Sequence, residues 1–256
     1  MFRIVTYNVH KCRGLDRRVR PVRIASVLRA LDADVIALQE VLMVGGGARE
    51  ADQARFIAEE LGYHCAVGAN RRLKGGAYGN VVLSRRPPVA ARNYDITWRW
   101  CERRGCQRVD FAADAARAQP ALHVFNVHLG TAFVERRHQG RRLLSREILR
   151  DPALTGARVV LGDFNEWTRG LASRLLAAEF ESADLRAHTG RTRTYPWALP
   201  VVHLDHVYYD RALRLTRLAL DTSFTARVAS DHLPLVADFE SHAPAPAAAG
   251  GTGATA

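Results

Sequence analysis

Apolar and polar positions along the chain fall into two cycles of the same order. Residues 2–9 alternate as a half-buried strand does, residues 21–31 place Ile24, Val27, Leu28 and Leu31 at helical spacing, and residues 34–39 form a short apolar run ending in Gln39 and Glu40. The unit is strand, helix, strand. A second helix is expected over residues 51–61, where Phe56, Ile57 and Leu61 share a face and Gly62 supplies a stop. Strands are expected over 64–68, 79–84, 89–97 and 108–113. From Ala121 the cycle starts again: residues 122–129 echo residues 4–10, a helix is expected over 135–149, and the strand 157–161 leads into Gly162 and Asp163. A short helix over 170–178 and strands over 203–209, 213–220 and 235–239 complete the series. Two similar halves, each a sheet with helices outside, predict an α/β fold of four layers, an α/β/β/α sandwich of two packed mixed sheets.

Composition adds boundaries. No Pro/Gly/Ser-rich linker divides the middle of the chain, so residues 1–240 are expected to form one domain, and residues 241–256, rich in Ala, Pro and Gly, a disordered tail. The start shows no basic leader followed by an apolar stretch, and no apolar run approaches membrane-spanning length, so a monomeric cytoplasmic protein is expected. Cys12, Cys65, Cys101 and Cys106 are too few and too scattered for a disulfide framework, and the Cys101/Cys106 spacing matches no strong zinc pattern.

The formal net charge of +11 favours phosphate-bearing partners: nucleic acid, an anionic membrane surface or a phosphorylated small molecule. Ten basic residues against Asp95 and Glu102 lie between positions 71 and 108, and six arginines against two glutamates between 135 and 150. Solvated arginine faces with no ligand are the plainer reading of both stretches.

The chemistry-bearing residues sit where the strands end. Asn8 and Glu40 close neighbouring strands and together suit a hard divalent ion, since magnesium takes a few carboxylate and carbonyl oxygens and keeps several waters. Asp163 and Asn165, separated by an apolar Phe164, can address one substrate, the acid orienting or deprotonating a water and the amide holding a phosphoryl oxygen. His232 with Asp205 fits a base and its orienting carboxylate, which leaves the adjacent Asp231 for metal or substrate, and His128 after a strand can contact a phosphoryl oxygen. Asn80 precedes an apolar strand, His10 occupies a loop edge, and Tyr195 belongs to a segment that could line a substrate mouth. Each has a plainer alternative: an ion-paired surface carboxylate for Glu40, an Asx turn for Asp163, a structural pair for His232 and Asp205, a Pro-bounded turn for Tyr195. No nucleotide-hydrolase phosphate loop and no G-x-S-x-G elbow occurs.

Seven segments in order, Thr6-Tyr7-Asn8-Val9-His10, Leu38-Gln39-Glu40, residues 79–85, Asn126-Val127-His128-Leu129, residues 162–165, Leu204-Asp205-His206 and residues 230–234, resemble the endonuclease/exonuclease/phosphatase superfamily, to which deoxyribonuclease I belongs. The resemblance covers about residues 2–240 and implies the same α/β/β/α sandwich. It also implies a Mg2+- or Mn2+-dependent attack of water on a phosphoester, most simply a phosphodiester of nucleic acid or of a phospholipid head group. Carried onto matching positions, Glu40 would ligate the metal with Asn8 close by and Asp231 as a further candidate. Asp163 would position or activate the water, Asn165 would hold the phosphoryl group, Asp205 would orient His232, as base or as stabiliser of the pentacovalent state, and His128 would contact the phosphate. Asn80, His10 and Tyr195 complete the expected substrate-binding set. Apurinic endonucleases usually carry an acidic residue where His10 stands and lack a histidine at the His128 position, which disfavours abasic-site repair; His206 replaces a common aromatic. A phosphomonoesterase and a non-catalytic polyanion-binding protein are the alternatives.

Overall fold

The strict alternation read from the strands separates two kinds of core. In the computed structural model, which describes residues 1–114, 116, 121–166, 170–183 and 204–241, the strands are β1 (Phe2–Asn8), β2 (Val35–Met43), β3 (His64–Leu73), β4 (Gly76–Ser84), β5 (Ala90–Asp95), β6 (Gly105–Phe111), β7 (Leu122–His128), β8 (Ala157–Asp163), β9 (Glu181–Ser182), β10 (Asp205–Tyr209), β11 (Leu213–Leu220) and β12 (Leu235–Ser241). The helices are α1 (Pro21–Leu31), α2 (Gln53–Leu61), α3 (Phe133–Leu143), α4 (Leu171–Ala177) and α5 (Phe224–Ala229). One six-stranded sheet runs β11-β12-β1-β2-β4-β3 and the other β5-β6-β7-β8-β10-β9. Each is built around a parallel pair, β1/β2 or β7/β8, joined through an outer helix. The expected four-layer sandwich is the fold.

Phe2 and Ile4 of β1, Leu122 and Val124 of β7 and Val159 and Leu161 of β8 bury one face of each sheet against the other sheet. The opposite faces, with Val5 and Tyr7 or Phe125 and Val127, bury against α1, α2 and α5 or α3 and α4. Toward the ends of these strands the inter-sheet face changes from apolar to amide. Gln39 Nε2 donates to Asn126 Oδ1 at 2.8 Å and to Thr6 Oγ1 at 3.1 Å. Asn126 Nδ2 donates to the carbonyls of Leu38 and Val81. Asn80 Nδ2 donates to the carbonyls of Gly105 and Asn126, and Gln107 Nε2 to that of Ala66. All four side chains are buried, so these bonds replace water and fix the sheets against each other. Asn80, expected at the substrate, is thus a tie between the sheets, because both of these donations end on backbone of the opposite sheet.

Several boundaries move for identifiable reasons. β3 and β4 are longer than expected and form one hairpin whose turn residues, Lys74 and Gly75, have φ of 50° and 80°. α3 spans Phe133–Leu143 rather than 135–149. Leu143, Leu144, Ile148 and Leu149 are all buried, and a continuous helix would turn some of them outward. α5, unanticipated, is capped by Ser223 Oγ accepting from Ala226 N at 3.2 Å. Ser241, expected to open the tail, ends β12, and residues 242–256 lie outside the described residues. The four cysteines are free thiols. His123 bonds Asp110 and the Thr155 carbonyl, away from the amide end.

The arginine-rich stretches are less open than their charge suggests. Arg108 pairs with Asp110 and Asp151, Arg71 and Arg104 share Glu102, Arg103 meets Asp95, and Arg150 meets Glu179. Among the described residues, no helix is long and apolar enough to cross a membrane.

The amide ties predict coupled stability. Gln39→Leu and Asn126→Leu should each lower unfolding stability in urea by about 1–3 kcal/mol, because each leaves a buried partner without its bond. The double variant should lose clearly less than the sum, and strict additivity would show that the two amides do not act as a unit.

Candidate active site

The parallel pairs deliver their carboxyl-terminal ends to one edge of the sandwich, and antiparallel β10 delivers its first residue to the same place. Asn8 and Glu40 come from β1 and β2, and His128 and Asp163 from the paired ends of β7 and β8. Asp205 lies directly opposite Asp163 across the β8/β10 ladder. Gly162 lets the edge close: its φ is 140°, and a Cβ there would stand 1.9 Å from the Val127 carbonyl oxygen. It is needed for the approach of β7 rather than for a turn after β8.

Asp163 Oδ2 is the meeting point. Asn8 Nδ2 donates to it at 3.0 Å across the sheets, and the Nε2 atoms of His128 and His232 each lie 3.6 Å away. His232 Nδ1 lies 3.0 Å from Asp205 Oδ2. Burial by itself would lower the His232 pKa. The charges of Asp205 and Asp163 and the hydrogen bond to Asp205 outweigh it and push the value up to about 10, so the ring is an imidazolium at neutral pH. Burial raises the Asp163 carboxyl above its ordinary range; the charge of His232 opposes this, that of Asp205 adds to it, and bonds from Asn8 and Asn165 oppose it.

His128 is the opposite case. Arg104 Nη1 approaches its Nδ1 at 2.9 Å, and a guanidinium only donates, so Nδ1 must accept and the proton resides on Nε2, facing Asp163. Burial, and then the Arg104 charge, hold the ring well below its ordinary pKa. Two histidines therefore flank one carboxylate, one cationic and one neutral, and both present a donor.

The rim is more exposed. Glu40 occupies a bulge in β2 between Leu38 and Val41, with φ of 59°, which turns it away from the ladder. Lys11 Nζ donates to its Oε2 at 2.5 Å, Asn8 Nδ2 to its Oε1 at 3.3 Å, and the Tyr78 hydroxyl also bonds it. Burial would raise the Glu40 pKa, but neighbouring His128 and Lys11 and the bonds from Lys11 and Asn8 hold it well below the carboxylate range. With His128 neutral, Lys11 is the cation that counts. His10 Nδ1 lies 3.3 Å from Asp231 Oδ1, and Ser230 Oγ donates to the Asn8 carbonyl at 2.8 Å. Burial opposes ionisation of Asp231, yet His10 and His232 keep its carboxyl below the ordinary value.

Asn165 realises part of the plainer alternative: its N–H donates to Asp163 Oδ1 at 2.9 Å, an Asx-type turn, and Nδ2 donates to the Leu129 carbonyl at 2.9 Å. Among the described residues no hydrogen bond engages its second amide hydrogen or its Oδ1. Tyr195 lies outside the described residues. Lys11, Tyr78 and Arg104 were missed as site residues. Lys11 follows the Asn-Val-His segment directly and carried a signal by position; Arg104 stood undistinguished among many arginines.

Glu40 offers hard carboxylate oxygens with no thiol nearby, which suits Mg2+ or Mn2+ retaining several waters, while Asn8 turns its Nδ2 toward Glu40 and its Oδ1 toward the His10 N–H. Among the described residues no cluster of three or more His, Cys, Asp or Glu side chains forms a closed metal cage. A single-carboxylate site of this kind fits such an ion, completed by water and substrate oxygens.

Fold and site together define a protein of the phosphoester-hydrolase α/β sandwich class. The chain belongs to the endonuclease/exonuclease/phosphatase family, whose model matches residues 5–232. It is 30% identical over 254 residues to the uncharacterized protein YbhP of Escherichia coli K12, covering 93% of this chain and 96% of that one. An endonuclease/exonuclease/phosphatase from Bacteroides vulgatus superposes with a TM-score of 0.76 at 18% identity, over 94% of this chain and 99% of the other. The human Nocturnin catalytic domain with bound sulfate superposes with a TM-score of 0.74 at 19% identity, over 94% of each.

The proton arrangement is testable by 15N NMR of the metal-free protein. His232 should remain doubly protonated through neutral pH, and its contribution to stability should be complete below 6.5 and lost as pH rises through about 10. Asp205→Asn should lower the His232 pKa, and Arg104→Met should raise that of His128. A His232 ring titrating at its ordinary value in the parent protein would contradict the assignment.

Proposed function

We propose that this chain is a monomeric, cytoplasmic, divalent-metal-dependent phosphodiesterase that hydrolyses nucleic acid or a phospholipid head group by direct attack of activated water. The observation that carries this reading is the convergence of Asn8, His128 and His232 on Asp163 Oδ2, beside an ionised Glu40.

Asp163 receives the proton of the attacking water as the new P–O bond forms and the ester P–O bond breaks, and the departing oxygen takes its proton from solvent. Its raised pKa brings it nearer the operating pH, which improves a carboxylate as a general base. His232 serves as a preformed cation rather than a base, donating to the phosphoryl oxygens as negative charge develops, with Asp205 holding the ring. The neutral Nε2–H of His128 is a second donor that adds no charge, and the uncommitted amide group of Asn165 is a third. Glu40 would hold the metal ion, with Asn8 close by and Asp231 as a further candidate. When bound, that ion supplies electrostatic stabilisation of the phosphoryl group. Lys11 keeps Glu40 ionised, and His10 does the same for Asp231.

Purified protein with Mg2+ or Mn2+ should hydrolyse bis-p-nitrophenyl phosphate, and at least one of DNA, RNA or phospholipid, faster than p-nitrophenyl phosphate, with activity lost in chelator. Glu40→Gln, Asp163→Asn and His232→Ala should each lower kcat by about 10²–10⁴. Turnover of monoesters alone would replace this reading by a phosphomonoesterase. Salt-sensitive polyanion binding that survives chelation and Asp163→Asn, without turnover, would make the chain a binding protein.

A further inference from the structure

A cationic and aromatic strip beside the site is absorbed by neither the core nor the catalytic centre. It joins the loop between β5 and β6 to the first turns of α3. The Trp98 and His138 rings lie 4.4 Å apart between centroids. The Arg99 guanidinium lies 4.8 Å from the Trp98 ring and 5.6 Å from that of Trp100, and Arg137 lies 5.6 Å from the Phe133 ring. Trp100 is 87% exposed, Val134 60% and Phe133 54%. Isolated exposed apolar residues are ordinary, but here the Trp98–His138 contact sets the loop group against the helix that also carries Phe133, Val134 and Arg137. The loop and the helix that carry the strip also reach the catalytic edge. Arg104, on the same loop as Trp100, bonds His128, and Gln139 of α3 accepts from the N–H of Gly130, which follows His128 closely.

We propose that this strip is a membrane-docking surface that seats the protein on an anionic phospholipid bilayer. Trp100, Phe133 and Val134 enter the boundary between head groups and acyl chains, while Arg99 and Arg137 pair with lipid phosphates. Among the described residues neither arginine forms an ion pair, so both charges are available to lipid phosphate, and the chain's net charge of +11 adds general attraction to the same surface. Tryptophan and phenylalanine beside arginine are the side chains that settle at a lipid interface, with apolar bodies buried and charges held at head-group level. A single-stranded nucleic acid is the less suitable occupant, because it stacks bases on open aromatic faces. Arg99 and Arg137 each take one face of the rings beside them, and Val134, exposed with them, has no ring on which a base could stack. Together with the phosphodiesterase reading, on which this consequence rests, the surface selects the phospholipid head group as the substrate presented to Asp163.

The full chain, in chelator so that docking is read without turnover, should sediment with vesicles of equal phosphatidylglycerol and phosphatidylcholine and much less with phosphatidylcholine alone. Trp100→Ser with Phe133→Ser should weaken this partition by about tenfold or more. Arg99→Glu with Arg137→Glu should clearly reduce the preference for phosphatidylglycerol. Both variants should keep the parent melting temperature and hydrolysis of bis-p-nitrophenyl phosphate. Unchanged partition of either variant would overturn the proposal. So would a single-stranded oligonucleotide whose binding depends on Trp100 and Phe133 while vesicles are not bound. Failure on the soluble diester strikes the phosphodiesterase reading, whereas failure on vesicles strikes only the docking surface.

Discussion

Two carboxylates, Asp163 and Asp205, face each other across the β8/β10 ladder in a place with almost no water. Two ionised acids so placed would cost several kcal/mol unless a cation and hydrogen bonds compensate. His232 answers that demand, lying between them as an imidazolium, and Asn8 reaches across from the other sheet to bond Asp163. The position of β12, which follows His232, and of β1, which ends in Asn8, is therefore tied to the electrostatics of β8 and β10. Removing the charge on any one member changes the proton affinity of the others.

That arrangement tolerates little movement between the sheets, and the amide ties beneath it supply the restraint. Gln39 and Asn126 stand immediately before Glu40 and two residues before His128, so the same segments that present the site also lock the sandwich. Glu40 is freed for the rim by the bulge that follows Gln39, and the left-handed turn at His10, Lys11 and Cys12, with φ of 45°, 58° and 55°, brings Lys11 back onto it. Backbone strain of about 1–2 kcal/mol per residue is expected in such a turn. It is sustained by a buried Cys12 and by the Lys11 ion pair.

Much of the site was legible because strand alternation is strict: a polar residue at the end of an apolar strand must either leave the core or find partners inside it. Asn8, Glu40, His128, Asp163, Asp205 and His232 all come together as the order of their strands suggested. Asn80 did not go to the rim, because β4 pairs beside the bulge in β2 and directs the amide into the seam. Arg104 was illegible because its meaning lies in one contact with His128, and no periodicity separates it from Arg103. The arginine-rich stretches divide for the same reason: Arg108, Arg71 and Arg150 find acids far away in sequence, whereas Arg99 and Arg137 form no ion pair among the described residues.

The two-cycle sandwich, the edge at which the chemistry gathers and the residue types assembled there follow from the order of residues alone, since period-two burial and strand-end positions are local properties of the chain. Tertiary structure decided the protonation states. Whether His128 is neutral and His232 cationic depends on an arginine against one ring and carboxylates against the other, and charge interactions of that kind act through space at a few ångströms. It also decided which exposed aromatics form a continuous surface, because Trp98 meets His138 only when the β5–β6 loop folds over α3.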